Sequence, residues 1–201
     1  SLVPKQNEAL TKSVSSQDNK KRRKPFLLYG ITGSGKTEIY LQALAEVIKR
    51  GKQGIVLVPE ISLTPQTIQR FSERFPGRVG VLHSQLSQGQ RRSEWQAIKD
   101  GAFDVVIGPR SALGAPLPNI GLIIIDEQHK VGVKQRMSLA KKGGSNCDVL
   151  LMSATPIPRT MMMSIYGDMD ISRLTEKPEE RKEVKTFIKP EEKIYEIIPL
   201  L

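Results

Sequence analysis

The sequence predicts an α/β fold in which a parallel β-sheet carries helices on both faces. Three observations lead there. The runs FLLY (26–29), IVLV (55–58), VVI (105–107), LIIID (122–126) and VLLM (149–152) are short, apolar and free of polar alternation, as strands buried on both faces are. The stretches between them mostly carry helical spacing, and strand–helix alternation implies parallel pairing through crossover helices. Between the first run and the first helical pattern lies GITGSGKT, residues 30–37, a glycine-rich turn of the kind that cradles phosphate.

With 201 residues the chain is long enough for one substantial core. Its 38% hydrophobic and 26% charged residues place it with ordinary globular proteins and exclude disordered and fibrous classes. The single cysteine, Cys147, excludes an internal disulfide and a cysteine-rich metal site. No apolar run approaches the roughly 18 residues of a membrane span, and SLVPKQNEAL has no secretory pattern. A soluble, cytoplasmic protein without a membrane partner is the expectation. The net charge of +10 favours a polyanionic partner such as nucleic acid.

Residues 1–24 are polar and end in the basic run Lys20–Lys24, which reads as a solvated linker. After the glycine-rich turn, Tyr40, Leu41, Leu44, Val47 and Ile48 form one apolar helical stripe, and Gly51 stands where a helix terminator belongs. A second helix is expected over Pro65–Phe75. A third starts at Ser87, which has capping-box spacing to Gln90, and ends near Gly101. Its thin apolar face of Trp95, Ala97 and Ile98 predicts a surface position.

Three segments carry chemistry. In the first, Gly30, Thr32, Gly33, Ser34 and Gly35 form a loop whose N–H groups converge on phosphate oxygens at a helix N-terminus. Lys36 then reaches the β and γ phosphates, and Thr37 offers its hydroxyl to Mg²⁺. In the second, IIIDEQH (123–129), Asp126 stands at a strand's carboxyl end, where open α/β sheets bind ligands. Asp126 is the expected Mg²⁺ ligand, and Glu127 the residue that orients and deprotonates the attacking water. In the third, Ser153, Ala154 and Thr155 follow the run VLLM, and their hydroxyls suit a link between nucleotide state and movement.

GITGSGKT, VPEISLTPQ, GPRSAL, DEQH and SAT, in that order, resemble the first-domain motifs of the superfamily 2 helicases and translocases. Residues 25–122 look most like the PriA replication-restart helicases, and residues 124–201 like the RecG branch-migration helicases. The resemblance implies a RecA-like ATP-binding domain over 25–182, after the segment 1–24. It implies an ATP-dependent DNA helicase of replication restart, recombination or repair, using ATP and Mg²⁺ and acting on forked or branched DNA. A non-motor phosphate-loop binding module and an RNA-directed translocase remain the competing readings. Carried over residue by residue, Gln6 would read adenine and His129 would belong to the ATP site. Thr64, Gln66, His83, Arg110, Ser111 and Arg159 would contact nucleic acid, while Gln128, Ser153 and Thr155 would couple the two sites.

The chain departs from the pattern at Pro109, where a threonine is usual, and at Val131, where RecG-like sequences have an aromatic residue. Residues 183–201 resemble the opening of a second RecA-like domain, absent beyond that point, whose arginines would complete the ATP site. Slow ATP turnover by this chain alone is the corresponding expectation.

Overall fold

The computed structural model describes residues 25–31, 34–126, 147–154 and 170–174. Strands β1 (Phe26–Gly30), β2 (Gln53–Leu57), β3 (Val79–Val81), β4 (Val105–Gly108), β5 (Ile120–Ile125), β6 (Asp148–Ser153) and β7 (Asp170–Leu174) form one sheet in the order β3-β4-β2-β5-β6-β1-β7. Every pairing is parallel. The helices are α1 (Lys36–Lys49), α2 (Pro65–Arg74) and α3 (Gln88–Lys99), with 3-10 turns at Glu60–Ser62 and Arg110–Gly114.

The pleat of the central strands divides the core in two. Val56 and Ile124 point to the face covered by α1 and α2, where Leu44, Val47, Phe71 and Phe75 pack. Ile55, Leu57, Ile123 and Ile125 point to the other face, where Ile98 of α3 and Leu117 cover them. The α/β expectation, with helices on both faces, therefore holds. Of α3, Ile98 alone is fully buried, and Trp95 remains 38% exposed, which agrees with the expected surface position.

Helix boundaries follow local chemistry. The Ser87 hydroxyl accepts from Gln90 N while the Gln90 side chain accepts from Ser87 N, a complete capping box. The Thr64 side chain caps α2 by accepting from Thr67 N at 3.2 Å, and Pro65 opens the helix with φ already suited. The helix ends at Arg74, one residue before the expected Phe75, which becomes its C-cap. Past α1, Gly51 takes φ 70°, a left-handed conformation that closes the helix and that side chains resist.

Two strands lie outside the five apolar runs. β3 has three residues and β7 reads DISRL, exposed at Asp170, Ile171 and Arg173, so each edge strand lacks a buried run. Gln53, buried at the start of β2, ties two loops to the sheet: its Nε2 donates to Phe103 O at 2.8 Å and its Oε1 accepts from Asn119 N at 2.9 Å. No helix among the described residues is long and apolar enough to cross a membrane. Residues 1–24 and 183–201, expected as a polar segment and the opening of a second domain, lie outside the described residues.

Candidate functional site

The phosphate loop leaves the carboxyl end of β1, in the interior of the sheet between β6 and β7. Gly30 is packed so closely that a Cβ there would lie 2.6 Å from Ser34 Oγ and 3.0 Å from Leu174 Cβ, so only a hydrogen fits. Gly35, the N-cap of α1, takes φ 83°, which turns the chain into the helix without a side-chain cap and sets the positive end of the helix dipole at the loop. Ser34 is buried at the base of the loop. Lys36 Nζ donates to the carbonyl oxygens of Gly30 and of Ile31, the latter at 2.9 Å, so its ammonium already lies against the loop.

Asp126 follows the last residue of β5, and its N–H donates to Leu57 O of β2 at 2.9 Å. Lys36, Thr37 and Asp126 line one cavity of about 760 Å³ together with Gly35 and Ala154. Arg70, Glu73 and Arg74 of α2 line the same cavity. These three had no motif to mark them, and only the packing of α2 beside α1 brings them there. Tyr40 of α1 and Phe71 of α2 seal that packing by stacking, with ring centroids 5.8 Å apart and planes 20° from parallel.

Tyr40 is a further residue the motif reading missed, because the helical stripe accounted for it as core. Its burial pushes the phenol up to about 12, the Thr37 side chain hydrogen-bonds it, and it feels the charges of Asp126 and Arg70. A buried hydroxyl thus bonds one of the expected metal-ligating residues, Thr37, and senses the charge of the other, Asp126.

The cavity suits a polyphosphate with a hard divalent cation. The tight glycine cradle, the helix mouth and Lys36 match phosphate oxygens, while the Thr37 hydroxyl and the Asp126 carboxylate are oxygen donors on the same cavity. No group of three metal-ligating side chains occurs among the described residues.

The expected nucleic-acid residues lie at the carboxyl ends of the neighbouring strands β2, β4 and β3. Thr64 and Gln66 are exposed at the start of α2, half-buried His83 follows β3, and Arg110 and Ser111 are exposed on the 3-10 turn after β4. Ser84 N donates to Glu60 Oε1 at 2.9 Å, linking the segments after β3 and β2. Pro109 heads the 3-10 turn with φ −71°, and its carbonyl accepts from Ala112 N at 2.8 Å, so the turn forms without the N–H that proline lacks. Ser153 ends β6 buried, in register with Tyr29 of β1. Gln6, Thr32, Gly33, Glu127, Gln128, His129, Val131, Thr155 and Arg159 lie outside the described residues.

A parallel sheet with a phosphate loop on an inner strand and an aspartate on the strand next but one, both at carboxyl ends, defines a RecA-like nucleotide-binding domain. Residues 4–164 match the DEAD/DEAH box helicase family, and the chain belongs to it. It is 45% identical over 158 residues to the replication restart protein PriA of Bacillus subtilis (strain 168), covering 74% of this chain and 19% of that protein. To the ATP-dependent DNA helicase RecG of Aquifex aeolicus it is 41% identical over 178 residues, covering 84% of this chain and 22% of the relative. A structure of RecG bound to a three-way DNA junction superposes with a TM-score of 0.75 at 32% identity, covering 100% of this chain and 27% of that one. The chain thus spans about a fifth of the length of these curated relatives.

Proposed function

We propose that this chain is the ATP-binding first motor domain of an ATP-dependent DNA helicase that acts on forked or branched DNA in replication restart, recombination or repair. The observation that carries this reading is the convergence of Lys36, Thr37 and Asp126 on one cavity at the carboxyl edge of a parallel sheet. Likeness to PriA and RecG supplies the direction toward DNA, as does the charge of +10.

In this reading the loop N–H groups and Lys36 hold the β and γ phosphates, and Lys36 exchanges its bonds to the Gly30 and Ile31 carbonyls for bonds to phosphate. Thr37 and Asp126 would hold Mg²⁺, which when bound would supply charge neutralisation for the phosphate oxygens. Glu127 takes the proton of the attacking water. Arg70 and Arg74, which line the same cavity as Lys36, add positive charge toward the phosphates. Gln6 and His129 complete the nucleotide contacts. Thr64, Gln66, His83, Arg110, Ser111 and Arg159 contact the nucleic-acid backbone, with Gln128, Ser153 and Thr155 relaying between the two. An arginine from a second motor domain is the usual remaining contributor, and without it turnover falls by about 10³- to 10⁵-fold.

The test uses a labelled ATP analogue and a phosphate-release assay on the wild-type chain and Glu127→Gln. The expected result is Mg²⁺-dependent binding by both, slow release by the wild type and none by the variant. Absence of binding by the wild type refutes the site. Nucleotide binding with no affinity for forked DNA at low salt favours a non-motor phosphate-loop module, and preference for RNA favours an RNA-directed translocase.

A further inference from the structure

A second cavity, of about 590 Å³, lies on α3 and is lined by Gln88, Gly89, Arg91, Arg92 and Trp95. This helix covers the sheet face opposite α1 and α2, away from the nucleotide cavity. No motif assigns these residues a role. Trp95 stands three residues after Arg92 and four after Arg91, so all three share one helical face. That face is solvated: both arginines are exposed and Trp95 is 38% exposed. Neither arginine forms an ion pair among the described residues. Glu94, the acid within this stretch, is turned to the sheet, where its Oε1 accepts from Val81 N at 3.0 Å.

What joins this face to the rest of the molecule is Gly114. A Cβ there would lie 3.2 Å from Trp95 Cη2, so the indole rests on the last residue of the 3-10 turn Arg110–Gly114. The turn carries Arg110 and Ser111, the expected backbone contacts, at the end of β4. Helix α3 follows the neighbouring strand β3 through the short connection that carries His83. The basic face of α3 is therefore continuous with the proposed nucleic-acid edge of the sheet.

We infer that the first half of α3 is a single-stranded DNA contact, with Arg91 and Arg92 on successive phosphates and the exposed part of the Trp95 indole stacked on an unpaired base. Guanidinium groups beside a partly exposed aromatic ring are the combination that holds single strands without reading sequence. An indole anchored on Gly114 loses little freedom on stacking, so the ring is preorganised for it. Duplex DNA offers the same phosphates but no free base face. The inference rests on the DNA-directed reading above.

Trp95 is the only tryptophan in the chain, so intrinsic fluorescence reports on this one position. Titrating the full chain with an oligothymidylate should quench that fluorescence with the same midpoint as the anisotropy of a labelled strand. A duplex of equal charge should quench less at equal occupancy. The double variant Arg91→Gln/Arg92→Gln, exposed and outside both cores, should lower the slope of log affinity against log salt by about 1.4, from about 0.7 per phosphate on a single strand. Strand binding by anisotropy with unchanged Trp95 emission, or an unchanged salt slope in the double variant, overturns the inference and leaves the helicase reading intact. No strand binding by the wild type at low salt overturns both.

Discussion

Tyr40→Phe is the substitution that isolates the contact between α1 and the nucleotide cavity. It keeps the ring that stacks on Phe71 and removes only the hydroxyl that meets Thr37. In the wild type, burial holds the phenol at about 12 against an ordinary value of 10.0. A group raised in the folded state contributes stability that is whole below its unfolded value and is lost as pH climbs through the folded one. Below pH 10 both states keep the proton, so no pH dependence arises from Tyr40. Between pH 10 and 12 the unfolded chain ionises first, and stability falls by about 3 kcal/mol at about 1.4 kcal/mol per unit. Urea unfolding of the wild type and Tyr40→Phe at a series of pH values from 8 to 12 measures this. Other tyrosines and lysines titrate in both proteins, so the difference between the two curves belongs to Tyr40. The expected difference is nearly constant below pH 10 and then shrinks or reverses as the wild type weakens. Parallel curves to the highest pH would refute the burial argument. The constant offset at pH 8 should be about 1 kcal/mol, the net worth of one hydrogen bond.

The other expected outcomes concern the site and its supports. Lys36→Ala should cut affinity for a labelled triphosphate at least 100-fold while leaving the unfolding midpoint near wild type; equal affinities would remove the phosphate-loop reading. Arg70→Gln/Arg74→Gln should weaken ATP more than ADP in competition titrations, because their charge shares the cavity with Lys36, which reaches the γ phosphate in the proposed reading, and an equal effect on both would place it elsewhere. Gln53→Leu should destabilise by about 1–3 kcal/mol in urea, since Phe103 O and Asn119 N both lose a buried partner. The Ser84 hydrogen bonds hold the Glu60 carboxyl below its ordinary value, so the link between the segments after β2 and β3 persists above that value and is lost as pH falls through the lowered one. Amide exchange at Ser84 should accelerate at acid pH beyond the intrinsic trend in the wild type and show no such step in Glu60→Gln.

The residues that were legible in the sequence are those whose roles depend on near neighbours. Lys36 and Thr37 follow their glycines at fixed spacing, and Asp126 closes an apolar strand, so chain order alone marks them as candidates, and the fold brings all three to one cavity. The five inner strands were legible because burial on both faces forces unbroken apolar runs. β7 was not, since an edge strand with Asp170, Ile171 and Arg173 exposed needs no such run. Arg70, Glu73 and Arg74 stayed hidden for a different reason. Their place on the cavity depends on how α2 lies across α1, a tertiary contact made by Tyr40 and Phe71, and a charged helix face reads the same wherever it points. Tyr40 itself was assigned correctly to the core, but periodicity reports the burial of a side chain and says nothing about what its hydroxyl meets. Gln53 escaped for lack of any pattern, as a lone glutamine opening a strand carries no sign that two loops close on it.

The strand that bears the phosphate loop stands early in the chain, yet its lateral partners are β6 and β7, with Phe26 beside both Leu150 and Asp170. On a ribosome that adds about 5–20 residues per second, β1 waits on the order of ten seconds before either neighbour exists. The β2, β3 and β4 side has its partners sooner. The side of the sheet that carries the phosphate loop is consequently the last part to be framed. During that interval the FLLY segment is an apolar strand with both edges open, which makes it the stretch that a holding chaperone has most reason to cover.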